Sequence, residues 1–538
     1  MRLPQMKYRD RYTQTVQTRF GGYNHTHAAR DGELWEMKNL TGDETPLLAS
    51  RKPRCYVRTL TAPGGIVGAS ALCWVDGTTF YYDGIAKGSV TRGRKQFVTM
   101  GARVLIFPDK KVYHTELDTF ENLEAVVSGT QVKFTNGTIY GEAAQCNCVT
   151  CAAVDFRRYF SVGDAVTITG CTVHPENNKT PIVREMSDDG HTMRFYENVF
   201  TLGGTAENPT AYTETGTVKF SRTLPEMDWV LVNENRLWGC QGDTIYASKL
   251  GDPKNFNVFD GLDTDSYWVQ AGSGGDFTGA FAVGGYPVFF KEDGVFKMYG
   301  DRPSNFQLMR SAVTGAAHGS GGSFAVAGET AFYLSPTGVM AYTGGIPSAV
   351  GEHLGRAFRN AVGGSDGRKY YVSMQDEGGA WHLFVFDTRT GLWHREDETQ
   401  AVGFARVGSL LYLLRADGTL WELTSGGEET VDWMAEFADF TADSPNAKGI
   451  GRLQIRFALD AGATAAVELQ YDSSGVWERV GTISGEKKQS VVLPVVPRRA
   501  DHCRLRISGT GGMVIHSITR QYSHGSERST RRREETGR

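Results

Sequence analysis

Long apolar runs are missing from this chain of 538 residues, and the opening stretch from Met1 to Asp10 has no apolar core of the kind a secretory leader carries. A bilayer-spanning chain is therefore not expected, and the sequence reads as a soluble protein made in the cytoplasm, with no membrane insertion of its own. Cysteine is sparse. The 8 cysteines, at Cys55, Cys73, Cys240 and Cys503 and in a cluster around Cys146, are too few for a disulfide scaffold, so reduced thiols are expected. Neither sign of charge dominates: 57 Lys and Arg face 61 Asp and Glu, a net charge of -4, which leaves no global basic field to grip duplex DNA. The exception is the end of the chain, where six arginines from Arg520 to Arg538 face only Glu527, Glu534 and Glu535; a tail so polar is expected to be disordered over 526–538. Proline is scarce as well, 17 against 65 Gly, so reversals of the chain fall to glycine. Helical periodicity is almost absent.

Period-two alternation fills the space, cut by Asp-Gly turn pairs. Trp74 to Gly84 is a hairpin in miniature, with aromatic strands on either side of Asp76-Gly77 and a second reversal at Asp83-Gly84. The pattern recurs over Trp229–Ser248, Gly279–Tyr299, Ser323–Tyr342, Lys369–Trp393 and Val402–Leu423, and two earlier units fit 66–91 and 96–126. Such recurrence, with three or four strands per unit, is the signature of propeller blades, because radial stacking covers sheet faces that no single unit covers alone. The predicted fold class is all-β: a β-propeller of about seven blades, six being the alternative, with an inserted small β-barrel and a C-terminal β-sandwich. The alternating segment Glu33–Leu40 is expected to supply the strand that closes the ring.

The division that follows has an N-terminal arm with the closing strand (1–54), a first propeller part (55–126), the insert (127–222), a second propeller part (223–428), the sandwich (429–525) and the basic tail (526–538). In the insert, strands are expected at Thr130–Phe134, Asp164–Thr169 and His191–Tyr196. The sandwich is read from Gly451–Leu459, Ala466–Tyr471, Ser490–Val496, His502–Ile507 and Met513–Ile518. A helix is expected over Gly351 to Ala361, with Leu354, Phe358 and Ala361 on one face.

Candidate sites each have a plainer reading. Cys146, Cys148, Cys151 and Cys171, with His174, offer the thiolates and imidazole that tetrahedral zinc takes, but only one Cys-x-x-Cys pair is present, and free cysteines in a surface loop are the plainer account. Tyr471 to Trp477 resembles the Asp-box turn of sialidases, once, outside the propeller; the plainer account is an Asp-capped hairpin. Asp260, Asp263 and Asp265 could offer oxygens to a hard cation, against a solvated loop between blades. The glycine-rich runs Gly272–Asp276 and His318–Ser323 lack the Lys and following helix of a phosphate loop and are read as turns between blades. No Gly-x-Ser-x-Gly elbow opening a helix and no His-Glu-x-x-His is found, so the expectation is a protein that is not an enzyme and carries no cofactor.

The stretches Asn235 to Cys240 and Thr244 to Phe259, with Ile-Tyr-Ala-Ser and Leu-Gly-Asp-Pro at their heart, resemble the tail nozzle or packaged-DNA stabilisation proteins of bacteriophages, the tubular tail protein B family, and related prophage tail proteins of Gram-positive hosts. Gly391 to Asp397, and Pro494 to Arg499 with His502 and Arg504, extend the resemblance over roughly residues 20–525. The resemblance implies a structural component of the virion tail, assembled in the host cytoplasm as a ring of copies around the DNA exit channel. Its partners would be copies of itself, adjoining tail or portal and adaptor proteins, and viral DNA in transient passage without sequence-specific binding. No catalytic residues come with the family. A receptor- or glycan-binding tail protein and a propeller glycosidase are the alternatives.

Overall fold

The computed structural model describes residues 12–139, 142–196, 200–205, 209–443, 446–485, 489–496 and 498–524; the basic tail at 526–538 lies outside them. The chain is all-β, as the alternation predicts, and among the described residues every helical element is a three-residue 3₁₀ turn. None is long and apolar enough to cross a membrane. The helix expected over 351–361 is not formed. Gly355 takes a left-handed φ of +64° directly after the single turn Glu352–Leu354, and the chain then enters the strand Phe358–Ser365. Leu354 and Phe358 share an apolar environment through tertiary packing rather than through a helical face.

The backbone divides into two compact units, one of residues 61–321 with 343–346, the other of residues 1–60, 322–342 and 347–538. The 61–321 unit holds four antiparallel sheets of four strands, each hydrogen-bonded in chain order. The first runs from Pro63–Gly68 to Ile85–Ser89 and the second from Gln96–Met100 to Thr119–Asn122. The third is Trp229–Asn233, Arg236–Gln241, Thr244–Ala247 and Tyr267–Gln270, and the fourth runs from Gly279–Val283 to Gln307–Ser311. Their leading strands lie side by side, and alternation sends apolar residues from both faces into the seams. Val75, Phe80, Val104 and Tyr113 fill the first seam, Met100, Leu105, Val230 and Leu237 the second, and Leu231, Trp238, Phe289 and Phe296 the third.

Between the second and third sheets the chain leaves to build the insert, a three-stranded and a five-stranded sheet, with a short two-stranded ladder of Gly203–Gly204 and Pro209–Thr210, and a core containing Phe134, Val149, Phe195 and Phe220. The two larger sheets share that core and are joined by backbone hydrogen bonds, Gly163 N to the Val183 carbonyl at 2.7 Å, Val166 N to that of Pro181 at 3.0 Å and Ile168 N to that of Lys179 at 2.8 Å.

The other unit holds three more four-stranded sheets and the sandwich. The fifth sheet starts at Ala325–Ala327, the sixth at Phe358–Ser365, and the seventh comprises Ala401–Val407, Leu410–Arg415, Thr419–Glu422 and, from far upstream, Cys55–Thr59. Leu34–Lys38 is therefore not the closing strand. It pairs with Asp432–Phe437 in the five-stranded sandwich sheet, where Leu34 and Met37 are fully buried. Cys55–Thr59, exposed along most of its length, carries the profile of an edge strand instead. Its docking needs a glycine at the Asp417-Gly418 turn: Gly418 has φ +87°, and a Cβ there would stand 2.2 Å from the Leu60 carbonyl oxygen. The six-stranded sandwich sheet takes Tyr12–Gln17, Leu40–Thr41 and Leu48–Ser50 from the N-terminal arm beside the long pair Lys448–Leu459 and Met513–His524. Its Leu453, Ile455 and Phe457 pack in one core with Val467, Leu505 and Ile507 of the five-stranded sheet.

Candidate functional site

An aromatic recess of about 380 Å³ opens on the third sheet, lined by Phe259, Gly261, Leu262, Asp265, Ser266, Tyr267, Trp268, Pro303 and Ser304. Strand alternation makes half of it. In Tyr267–Gln270, the sheet's outer strand, Tyr267 turns inward against Phe306, ring centroids 5.1 Å apart, so Trp268 must turn outward. The loop before the strand supplies the rest. Phe259, Leu262 and Trp268 are 56%, 59% and 56% exposed, a cluster of large apolar side chains of the kind that marks interaction sites on soluble proteins.

Arg236 fixes that loop. It is buried at the start of the second strand and donates from Nη1 to the carbonyls of Ser248 at 2.9 Å and Asp265 at 2.5 Å, and from Nη2 to Asp263 at 2.6 Å. Burial lowers its proton affinity, and the Asp265 charge opposes that shift. Asp265, 3% exposed, accepts at Oδ2 from the backbone amides of Gly261 at 2.7 Å and Leu262 at 3.0 Å. Its Oδ1 is buried and has no hydrogen-bond partner.

Two contiguous clefts, of about 400 and 630 Å³, lie between the second sheet and the insert and share Glu121, Ser161 and Lys254. Their ionisable groups are largely spoken for by one another. Lys254 Nζ is 2.9 Å from Glu121 Oε2, Arg222 pairs with Asp164 in the interior, and Arg103 donates to the Gly251 carbonyl at 2.9 Å. Lys254 holds the Glu121 carboxyl below its ordinary range, the opposite of what a general acid at neutral pH requires.

The structure sorts the residues singled out in the sequence. Cys148, Cys151 and Cys171 are buried in the insert, and the Cys146 side chain lies outside the described residues. Cys151 Sγ faces the Thr130 carbonyl at 3.7 Å, while His174 pairs with Glu176 at 3.1 Å, so these groups are engaged separately. Burial pushes the Cys171 thiol up to about 11. Among the described residues, the three metal-capable side chains that do converge are Asp472, Asp501 and His502, within 4.8 Å of one another on the sandwich. Asp472 belongs to the Asp-box-like turn, and its Oδ1 accepts from the Asp501 amide at 2.9 Å, a tie to a distant segment rather than a cap of its own turn. Gly272 and Ser273 do cradle an anion, an internal one: their amides donate to the Asp243 carboxylate at 2.9 and 3.3 Å. Asp263 pairs with Arg302 at 3.0 Å rather than facing a cation with Asp265.

Turn composition alone gives Phe259–Asp265 as a solvated loop and does not single out Phe259, Leu262 and Trp268. The signal was there: two aromatic or aliphatic residues in a polar turn, followed by Tyr267-Trp268, one of which alternation must leave outside.

No family model matches the sequence, and no curated protein is significantly similar to it. Solved structures are similar to the chain at low identity and low TM-score. Raptor of Chaetomium thermophilum is 9% identical over 70% of this chain and 30% of its own, with a TM-score of 0.31. The exo-β-1,3-galactanase of Phanerochaete chrysosporium is 9% identical over 54% of this chain and 94% of its own, TM-score 0.21. Trypanosoma rangeli sialidase is 9% identical over 96% of both chains, TM-score 0.23. These values assign no function to the chain. They do correct one expectation: with a galactanase and a sialidase among the neighbours, the reading that the chain is not an enzyme does not stand.

Proposed function

We propose that this chain binds carbohydrate through the recess at Phe259, Leu262 and Trp268, acting as the receptor- or glycan-binding component of a bacteriophage tail, with its repeated four-stranded sheets as the blades of a β-propeller. The observation that carries the reading is an outward-facing Trp268 with exposed Phe259 and Leu262 lining the same recess. A sugar ring offers apolar C–H faces to aromatic rings and hydroxyls to a polar group, and a concave site of a few hundred Å³ with few polar groups suits it. The tail assignment is supported by the residues from Asn235 to Phe259 that resemble nozzle and prophage tail proteins.

The test is a glycan array with the purified chain and Trp268→Ala. Binding to a defined set of glycans that disappears in the variant, with the thermal transition unchanged, is the expected result; no binding to any glycan overturns the reading. A reducing-sugar assay on the glycans bound reads turnover directly.

A second reading, a ring component around the DNA exit channel, is favoured by the work that the resembling residues do. Arg236 ties down the loop before Tyr267, and Asn255 ties the same loop to the insert, donating to Asp252 at 2.6 Å and Asp164 at 2.9 Å. These are framework roles, which hold the loop rigid rather than present groups to a small ligand. Light scattering on the purified chain, with adjoining tail or portal proteins added, distinguishes it by a closed oligomer.

A further inference from the structure

We infer that Ser473, His502 and Asp501 form a hydrolytic site on the sandwich, with Ser473 as nucleophile and carboxylic esters as substrate. The site belongs to the compact unit that does not hold the aromatic recess, so it is independent of the carbohydrate reading.

Strand register brings the three residues together. Thr464–Tyr471 pairs antiparallel with Cys503–Thr510, Tyr471 opposite Cys503, so the turn that follows the first strand and the residues that precede the second emerge side by side. Two bonds brace them there: the Asp472 amide donates to the His502 carbonyl at 3.2 Å, and the Asp501 amide to Asp472 Oδ1 at 2.9 Å. Ser473 sits within the tight turn, which the Ser474 amide closes on the Tyr471 carbonyl at 3.1 Å.

The chemistry follows from which nitrogen meets which oxygen. His502 Nε2 lies 2.8 Å from Ser473 Oγ, and its Nδ1 is hydrogen-bonded to Asp501 Oδ1. Asp501 is held below the ordinary carboxylate range, by hydrogen bonding with Asp472 and then with His502, so it is ionised and can only accept. Nδ1 therefore donates, which leaves Nε2 to accept from the Ser473 hydroxyl. That is the tautomer a general base needs, and the carboxylate also stabilises the imidazolium formed when the base takes the proton. Ser473 Oγ bonds to the ester carbonyl carbon as its proton passes to Nε2; the carbon–alkoxide bond then breaks, and the alkoxide leaves with that proton. Water, deprotonated by Nε2, cleaves the acyl-serine, and the proton returns to Oγ, so ester and water give acid and alcohol.

Exposure chooses the substrate. Residues 472–476 are all exposed and His502 is partly buried. A carbonyl held at such a serine keeps its oxyanion in water rather than among dry, preorganised donors, which suits esters of small acyl groups and not the more demanding amides. An open serine also reaches an ester that projects from a large polymer.

The experiment treats the full chain with a fluorophosphonate probe, which bonds to activated serines with loss of fluoride, and maps the modified peptide by mass spectrometry; p-nitrophenyl acetate reads turnover alongside. Labelling at Ser473 is expected in the native chain, lost in the guanidinium-unfolded chain and in Ser473→Ala, and retained in Ser474→Ala. His502→Gln should slow it at least about a hundredfold. Asp501 acts through His502 as a positioning residue, so Asp501→Asn should slow the bond-forming step while leaving the probe concentration at half-saturation unchanged. Chelation with EDTA should change nothing. If Ser473→Ala fails to fold, the peptide map of the wild-type chain and the rate in His502→Gln decide. Labelling at Ser473 no greater than in the unfolded chain overturns the inference, and so does a rate that requires a divalent cation, which would assign Asp472, Asp501 and His502 to a metal.

Discussion

Arg54 Nη2 lies 2.6 Å from Glu396 Oε2, and its Nη1 lies 2.7 Å from Asp397 Oδ2, with the Arg54 side chain only 1% exposed. The segment that leads into Cys55–Thr59 is thereby anchored to the loop between the sixth and seventh sheets. Removing one partner from such a pair leaves an uncompensated buried charge, so Arg54→Met is expected to cost about 3–5 kcal/mol, measured by denaturant unfolding at pH 7.

The same network makes stability acid-sensitive. Burial alone raises the Asp397 carboxyl, but the Arg54 charge, hydrogen bonding from Thr399 and the Arg415 charge outweigh it and hold it well below the ordinary range. Glu429, paired with Arg51 at 2.8 Å, is likewise held down against burial. Folded values depressed below unfolded ones mean stability that is present above about pH 4 and lost as pH falls further. The acid limb of a stability-pH curve is expected to be shallower in Arg54→Met than in the wild type.

His394 adds a second, milder acid effect. Burial, then the Lys369 charge, lowers it from 6.5 to about 4. The unfolded chain therefore binds the proton first, and stability drains between about pH 6.5 and about pH 4, by an amount on the order of 3 kcal/mol. Unfolding free energies taken across that window should show the slope, and His394→Gln should flatten it.

Asn255 is fully buried, and besides its two carboxylate partners it accepts from the Ala165 amide at 3.0 Å. Asn255→Ala strands several polar groups and is expected to cost about 1–3 kcal/mol. Hydrogen exchange should rise at the Ala165 amide and along 249–258, while exchange in the sandwich strands stays as it was.

Thiol chemistry checks the packing. Burial pushes Cys73 up to about 12 and Cys503 up to about 12, and raises Cys240 well above its ordinary value. These three are expected to resist iodoacetamide at pH 8 in the native protein and to react after unfolding in guanidinium, as mass spectrometry of the alkylated peptides will read.

The repeated sheets were legible because their signal is local: alternation plus Asp-Gly turns fixes a hairpin wherever it falls, as at Trp74–Gly84. Pairings between distant segments were not. Leu34–Lys38 and Cys55–Thr59 both alternate well enough to be strands, and only the depth of burial that each finds far along the chain separates a sandwich strand from one that completes the seventh sheet. The expected helix at 351–361 failed because an i, i+4 apolar pair, Leu354 and Phe358, arises as easily from a turn leading into a strand. The recess was invisible for a related reason. Trp268 reads as one more strand aromatic until the fold leaves it exposed on the outer strand of its sheet.

The seventh sheet also imposes an order of events during synthesis. Cys55–Thr59 leaves the ribosome more than three hundred residues before its partner Thr419–Glu422 exists. Until then it is an orphan strand with open hydrogen-bonding edges, exposed to any neighbouring nascent chain. The late arrival of its mate makes this one of the long-range steps of folding, followed by the still later pairing of Tyr12–Gln17 with Met513–His524, and crowded polysomes are the setting in which swapped assemblies would form.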